Sequence, residues 1–212
     1  MSKEVLDGLF RPKSVAIIGA SATPGKIGFS VVEALLNGKY EGDIYPINLK
    51  LDEIMGVKVY KSILDLKDKV DLAVVTIPAK FVLGAVEECG KADVKGVSVI
   101  TSGFGEVGDH ETERALVETA HKYGMRMLGP NIIGTLSNSD KCNASFATML
   151  PLAGSGSLIS QSGALLIALD MGTYLRGVGF DKLVSLGNMA DVDFADIIAW
   201  LQDDQAVNCI SL

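Results

Sequence analysis

The chain has only two histidines, His110 and His121, only three cysteines with no C-x-x-C, 6% aromatic residues, and no run of lysines or arginines. Each shortage removes a class of function. Cys89, Cys142 and Cys209 are widely separated and odd in number, so neither a disulfide framework nor a metal site is expected, and a reducing, cytoplasmic setting is. A formal net charge of −7 without a basic stretch argues against nucleic acid as a partner. No apolar run approaches the ~20 residues that cross a bilayer, and the N-terminal stretch MSKEVLDGLFRP lacks the apolar centre of a secretory leader. No membrane partner is expected either. What remains, in 212 residues that are 48% hydrophobic, is a chain able to bury a substantial core and bind a small molecule.

The stretch Ser14 to Gly28, SVAIIGASATPGKIG, is where a chemistry is first declared. A short β-branched run ends at Gly19, a loop of small residues follows, and an apolar-periodic segment from Phe29 to Leu36 reads as a helix. Strand, glycine-rich turn and helix present free backbone N–H groups at a helix N-terminus, where the positive end of the dipole attracts phosphate. Glycines at 19, 25 and 28 do not follow the G-x-G-x-x-G of dinucleotide binders; the turn is longer and carries Ser21 and Thr23 as hydroxyl donors. An ordinary strand-to-helix connection also fits it.

Asp43 to Ile47 reads as a second strand, ending at Asn48 with Lys50 beyond it. Nicotinamide-binding folds place an acidic residue there to hold ribose hydroxyls. Asn48 followed by a cation suits instead a ribose bearing a phosphate, as in coenzyme A or NADP, and a solvated loop lysine fits Lys50 equally. Val70 to Pro78, Gly96 to Thr101 and Met125 to Leu128 read as three more strands, separated by helices over Ala79 to Gly90 and His110 to Tyr123. Alternation of this kind implies right-handed crossovers and an α/β fold with a parallel, doubly wound sheet. Ligands in such folds lie beyond the carboxyl ends of the strands. The clusters GASATPG, Asn48 to Lys50, Thr76 to Ala79, Thr101 to Glu106 and Gly129 to Asn131 all fall there.

From Ile132 to Ser157 the pattern weakens and reads as a linker. Ser157 to Ser160 is then a short strand, Gln161, Ser162 and Gly163 open an apolar helix over Ala164 to Arg176, Leu183 to Leu186 is a strand, and Asp193 N-caps a helix to Leu201. Ala206 to Leu212 reads as a further strand. Three strands and two helices would leave an incomplete sheet with an exposed edge, so a fragment, or a chain completed by a partner, is expected. SLISQSGAL repeats the logic of the first turn, and both N-capping and phosphate binding fit its serines.

Taken together, GASATPGKIG, YPINLK, TIPAKF, ITSGFGE, MLGPN, SLISQSGALLIALD and VSLGNMADVDFADI resemble the α-subunit of ADP-forming (NDP-forming) acetyl-CoA synthetases, in the succinyl-CoA synthetase superfamily. The resemblance runs in order over essentially the whole chain. It implies a Rossmann-like CoA-binding domain over residues 1–136, a linker over 137–156, and over 157–212 the first part of a flavodoxin-like domain. It also implies an acid–CoA ligase that interconverts acid, CoA and ATP with acyl-CoA, ADP and phosphate through an acyl phosphate and a phosphohistidine. Gly19, Ser21, Ala22, Thr23, Pro24 and Gly25 would cradle the CoA diphosphate, Lys50 would meet its nucleotide phosphate, and Pro78, Thr101 and Ser102 would line the pantetheine path. Asn131, Ser160, Ser162 and Gly163 would face phosphate or acyl phosphate.

The family's phosphohistidine and its orienting glutamate would lie beyond Leu212, so the chain alone is expected to bind CoA without completing phosphoryl transfer. His110 is a minor catalytic candidate, His121 reads as surface, and Glu106 is an acid–base candidate or a solvated turn residue. ATP or ADP and Mg would be held by an ATP-grasp β-subunit or fused domain, giving a hetero-oligomer. Two alternatives stay open: a non-catalytic CoA-sensing module, such as the regulatory part of a protein acyltransferase, and an NAD(P)-dependent oxidoreductase.

Overall fold

The computed structural model describes residues 3–212; the first two residues of the N-terminal stretch lie outside the described residues. Helix α1 (Lys3–Phe10) leads into β1 (Ser14–Ile18), α2 (Ile27–Asn37), β2 (Asp43–Ile47), the short antiparallel ribbon β3 (Glu53–Ile54) and β4 (Val57–Lys58), then β5 (Leu72–Val75), α3 (Val82–Lys91), β6 (Gly96–Val99), α4 (His110–Lys122) and β7 (Arg126–Leu128). The sheet order is β2-β1-β5-β6-β7, every pair parallel. Strands β1, β5, β6 and β7 are buried along their length and read as mostly apolar runs because both faces are covered, whereas the edge strand β2 opens exposed at Asp43. Their period-two alternation divides the side chains: Val15, Ile17, Leu72 and Val74 join the core under α1 and α2, while Ala16, Ile18, Ala73 and Val75 join the one under α3 and α4. The chain reverses its progress across the sheet between β1 and β5. That reversal makes a topological switch point, with a crevice at the strands' carboxyl ends.

The second sheet is built from β8 (Gly134–Ser137), β9 (Cys142–Ser145), β10 (Ala153–Ser160), β11 (Phe180–Ser185) and β12 (Cys209–Ser211), with α5 (Gly163–Tyr174) and α6 (Phe194–Leu201) between its later strands. Its order is β12-β10-β11-β8-β9, parallel among β10, β11 and β12 and antiparallel from β11 to β8 and β9. Asp193 caps α6 as expected, and the Asp196 side chain accepts from the Asp193 amide to complete a capping box.

The irregular linker expected over 137–156 is corrected. That stretch carries β9 and the first half of β10, and the sheet has five strands rather than three. Polar composition hid the buried strand β9, because its polar groups are satisfied internally: Ser145 Oγ donates to Asn143 Oδ1 at 2.5 Å and Asn143 Nδ2 donates to the Ala147 carbonyl at 3.1 Å. Gly154 gave the loop signal for another reason, since a Cβ there would stand 2.3 Å from the Gly179 carbonyl oxygen as the two backbones close on each other.

One hydrophobic cluster joins the two sheets, running from Leu9, Val15 and Val31 through Ile132 and Ala144 to Val184, Ile197 and Trp200. Trp200 stacks at a tilt on Phe10 with ring centroids 4.9 Å apart and donates its indole N–H to Asp7 Oδ1 at 2.8 Å. Arg126 of β7, with its side chain 8% exposed, forks to Asp191 and Asp196 at 2.7 to 2.9 Å. Both contacts run from the first unit to the second.

Candidate functional site

The glycine-rich turn is shaped by close backbone approach. Gly19 has φ +95°, and a Cβ there would stand 2.7 Å from Ile77 Cγ2 and 2.8 Å from Thr76 Oγ1. A Cβ on Gly28, in the first turn of α2, would stand 2.0 Å from the Gly19 carbonyl oxygen. Only glycine lets β1 and the start of α2 come this near. Gly25 has φ +84° in open space, so conformation rather than crowding selects it. Ser21 Oγ accepts from the Thr23 amide at 3.1 Å, which folds the loop locally, and Ala22, Thr23, Pro24, Gly25 and Lys26 are exposed. Lys26 caps α2 without a side-chain hydrogen bond, so the helix start relies on backbone donors alone.

Asn48, read from the sequence as the position that chooses between ligands, also ties two loops together. Its side-chain Nδ2 donates to the Ala20 carbonyl at 2.8 Å, and its Oδ1 accepts from the backbone amides of Lys50 and Leu51 at 2.8 and 3.2 Å. Lys50 is thereby carried exposed beside the glycine turn. A cavity of about 730 Å³ opens at the switch point, lined by Gly19, Asn48, Lys50, Lys61, Pro78 and Phe81 among others. Leu49 is 82% exposed and Phe81 is 55% exposed on its wall. The lining suits a ligand with an apolar or planar body and an anionic end.

The carboxyl ends of the neighbouring strands are linked in series. Thr76 donates through its amide and its Oγ1 to the Ile18 carbonyl, Thr101 Oγ1 donates to the Ile77 carbonyl at 2.7 Å, and the Asn131 amide donates to the Thr101 carbonyl at 3.1 Å. Asn131 is exposed with φ +63°, and its side-chain amide donates to Asn188 Oδ1 at 3.2 Å. Ser102 is exposed beside Thr101.

Glu106 accepts from the Gly103 and Phe104 amides and from Asn188 Nδ2. Burial pushes its carboxyl upward, but these hydrogen bonds, led by that from Asn188, outweigh burial and hold it below the ordinary glutamate value. It stands exposed in its turn, and its hydrogen bonds shape that loop.

The second helix start closes on the same edge. Ser160 Oγ accepts from the Ser162 amide at 3.1 Å, and Ser162 Oγ caps α5 by accepting from the Leu165 amide at 3.2 Å. A Cβ on Gly163 would stand 2.6 Å from Ile133 Cγ2, so this helix start lies against the segment that follows Asn131. The Gly187–Asn188 turn at the end of β11 completes the seam, since a Cβ on Gly187 would stand 2.3 and 2.4 Å from the carbonyl oxygens of Pro130 and Asn131.

Thus Gly19, Lys50 and Pro78 meet at the crevice, while Thr101, Asn131, Ser160 and Gly163 gather where the two sheets face each other. Two residues that sequence reasoning missed, Glu113 and Asn188, hold the seam: Asn188 Nδ2 donates to Glu113 Oε2 at 2.6 Å. In the sequence Gly187–Asn188 reads only as a turn after the strand that ends at Leu186. His110 stands exposed at the first position of α4, and His121 Nε2 lies 2.9 Å from Asp191 Oδ1 in the Arg126 clasp, so His121 is more than a bare surface residue. Among the described residues no group of three or more His, Cys, Asp and Glu is arranged to hold a metal ion.

Residues 13–138 match the CoA binding domain family and residues 153–212 the succinyl-CoA ligase like flavodoxin domain family. The chain is 51% identical over 211 residues to the α-subunit of acetate–CoA ligase [ADP-forming] I of Pyrococcus furiosus, an alignment covering 97% of this chain and 46% of that protein. It is 46% identical over 201 residues to the acetate–CoA ligase [ADP-forming] of Methanocaldococcus jannaschii, covering 95% of this chain and 28% of the other. The solved structure of the acetyl-coenzyme A synthetase 1 of Ca. Korarchaeum cryptofilum, in complex with phosphate and ADP, matches with a TM-score of 0.94 at 46% identity, over 97% of this chain and 44% of that one. The chain therefore spans less than half the length of these relatives. They favour the ligase expectation over the sensing-module and oxidoreductase alternatives.

Proposed function

Because the chain belongs to the CoA binding domain family, joined here to a succinyl-CoA ligase like flavodoxin domain, we propose that it is the CoA-binding part of an ADP-forming acid–CoA ligase, with acetate as the default acid. The observation that carries the reading is the pair of glycine-marked helix starts, after Gly19 and at Gly163, the first tied through Asn48 to the Lys50 loop and the second lying against the segment that follows Asn131. Each helix start supplies backbone N–H groups and a positive dipole end.

CoA fits the first of them. Close packing at Gly19 and Gly28 fixes the turn, while exposed Ala22 to Lys26 and the open space at Gly25 leave its backbone accessible to a diphosphate. In this reading Ser21, Ala22, Thr23, Pro24 and Gly25 surround the diphosphate, and Lys50 meets the 3′-phosphate. Pro78, Thr101 and Ser102 then guide the pantetheine arm along the linked strand ends. The thiol that CoA supplies would attack the carbonyl carbon of an acyl phosphate and displace phosphate, and fixed amides and the α5 dipole near Asn131, Ser160, Ser162 and Gly163 would stabilise the developing charge.

We assign ATP or ADP and Mg to an ATP-grasp subunit or fused domain, the phosphohistidine to sequence beyond this chain, and the assembly to the cytoplasm. The test is ADP release that depends jointly on acid, CoA and ATP in the complete protein. Such release, together with CoA binding and no turnover by residues 1–212 alone, supports the reading; full synthesis by this chain alone refutes the division of labour.

A further inference from the structure

Three consecutive amides of the loop after β6 are held by carboxylates: Gly103 and Phe104 donate to Glu106, and Gly105 donates to Glu113 Oε2 at 3.2 Å. Gly105 must be glycine for this, since a Cβ there would stand 2.4 Å from Glu113 Oε1. Two like charges held so near each other need a shared donor. Asn188 is that donor, giving one amide hydrogen to Glu106 Oε2 and the other to Glu113 Oε2, both at 2.6 Å. Its Oδ1 accepts from Asn131 Nδ2. The residue comes from the second sheet, while all three partners belong to the first unit or the segment leaving it. Its backbone is fixed too, with the Asn188 amide donating to the Pro130 carbonyl at 2.9 Å and the Ala190 amide to the Gly129 carbonyl at 3.1 Å.

We propose that Asn188 is a positioning residue for the ligase reaction, setting the Thr101–Glu106 loop and Asn131 against the start of α5. The inference rests on the proposed function for its catalytic meaning, and on the hydrogen-bond geometry alone for its structural meaning. Asparagine is specifically required. Aspartate would add a third carboxylate to Glu106 and Glu113 and remove both donors, and alanine would leave the two carboxylates without their common partner. Because the residue acts through a loop and a neighbouring side chain rather than on the ligand's phosphates, its loss should disturb alignment at the reacting centre more than affinity for CoA.

The test has two arms in the complete enzyme with its ATP-side partner. In Asn188→Ala, hydrogen exchange at Gly103, Phe104 and Gly105 should accelerate at least about tenfold, and kcat should fall roughly 10- to 100-fold while KM for CoA stays within about twofold. Asn188→Asp should lower kcat further, and Asn188→Gln should recover part of the loss. If the alanine variant does not fold, the glutamine and aspartate variants carry the comparison, the aspartate being the slower of the two. Unchanged exchange over 103–105 overturns the structural assignment. Faster exchange with unchanged kcat, or a kcat loss matched by an equal rise in KM, overturns the positioning role. A wild-type enzyme without ligase activity refutes the proposed function instead and leaves the exchange arm to decide the loop assignment.

Discussion

At the scale of single residues, the site depends on places where a side chain cannot be. Gly19→Ala would have to hold φ near +95° and stand 2.7 Å from Ile77. It should cost about 1–3 kcal/mol of stability and reduce CoA affinity, measured by urea denaturation and titration. Gly28→Ala should be worse for binding, because its methyl meets backbone at 2.0 Å rather than a side chain that can rotate away. Glu106 provides the pH test. Its folded-state carboxyl is held below the ordinary value, chiefly by hydrogen bonds that offset burial. Its contribution is therefore present above the usual glutamate range and lost as pH falls through the lowered folded value. Glu106→Gln should be less stable than wild type at about pH 7, with the gap closing as the pH falls below the ordinary glutamate range.

At the scale of elements, the clasp of Arg126 on β7 with Asp191 and Asp196 should be costly to break. Arg126→Met takes the guanidinium from the nearly buried Asp191 carboxylate, leaving it only His121 and the Met127 amide, and should cost about 3–5 kcal/mol by denaturation, whereas Lys141→Ala, at an exposed pair with Glu41, should change stability by less than about 1 kcal/mol. The parallel strands β1, β5, β6 and β7 were legible because burial on both faces writes each as a mostly apolar run between glycine, proline or polar stops, and the edge strand β2 by its buried end, Pro46 and Ile47, before Asn48. So were α4, by its amphipathic pattern, and α6, whose cap Asp193 is visible as a residue type; the α4 cap Asp109 emerges only in the structure. Strand β9 was not, since CNAS satisfies its polar groups with one another and with nearby carbonyls, which no local pattern reveals. The same held at the site. Gly19 and Lys50 announce themselves by residue type and position, but Asn188 works through partners 75 and 82 residues away in sequence.

At the scale of the whole molecule, the two sheets share a hydrophobic cluster, the Trp200–Asp7 contact, the Arg126 clasp and the Asn188 seam. They should unfold together, so the fluorescence of the single tryptophan, at the seam, and the far-ultraviolet circular dichroism should report one coincident transition. A separate earlier fluorescence midpoint would mean that the units part before either melts. On the proposed reading, this junction sets the β1/β5 crevice relative to the start of α5, toward which a bound CoA would direct its thiol end. The most direct measurement is calorimetric titration of the chain with CoA, dephospho-CoA and NAD, repeated in Lys50→Ala. CoA should bind, lose about tenfold (~1.4 kcal/mol) without its 3′-phosphate, and lose a similar amount in Lys50→Ala with no further penalty for dephospho-CoA. Failure of CoA to bind, or tighter binding of NAD, would contradict the assignment of the switch-point crevice to coenzyme A.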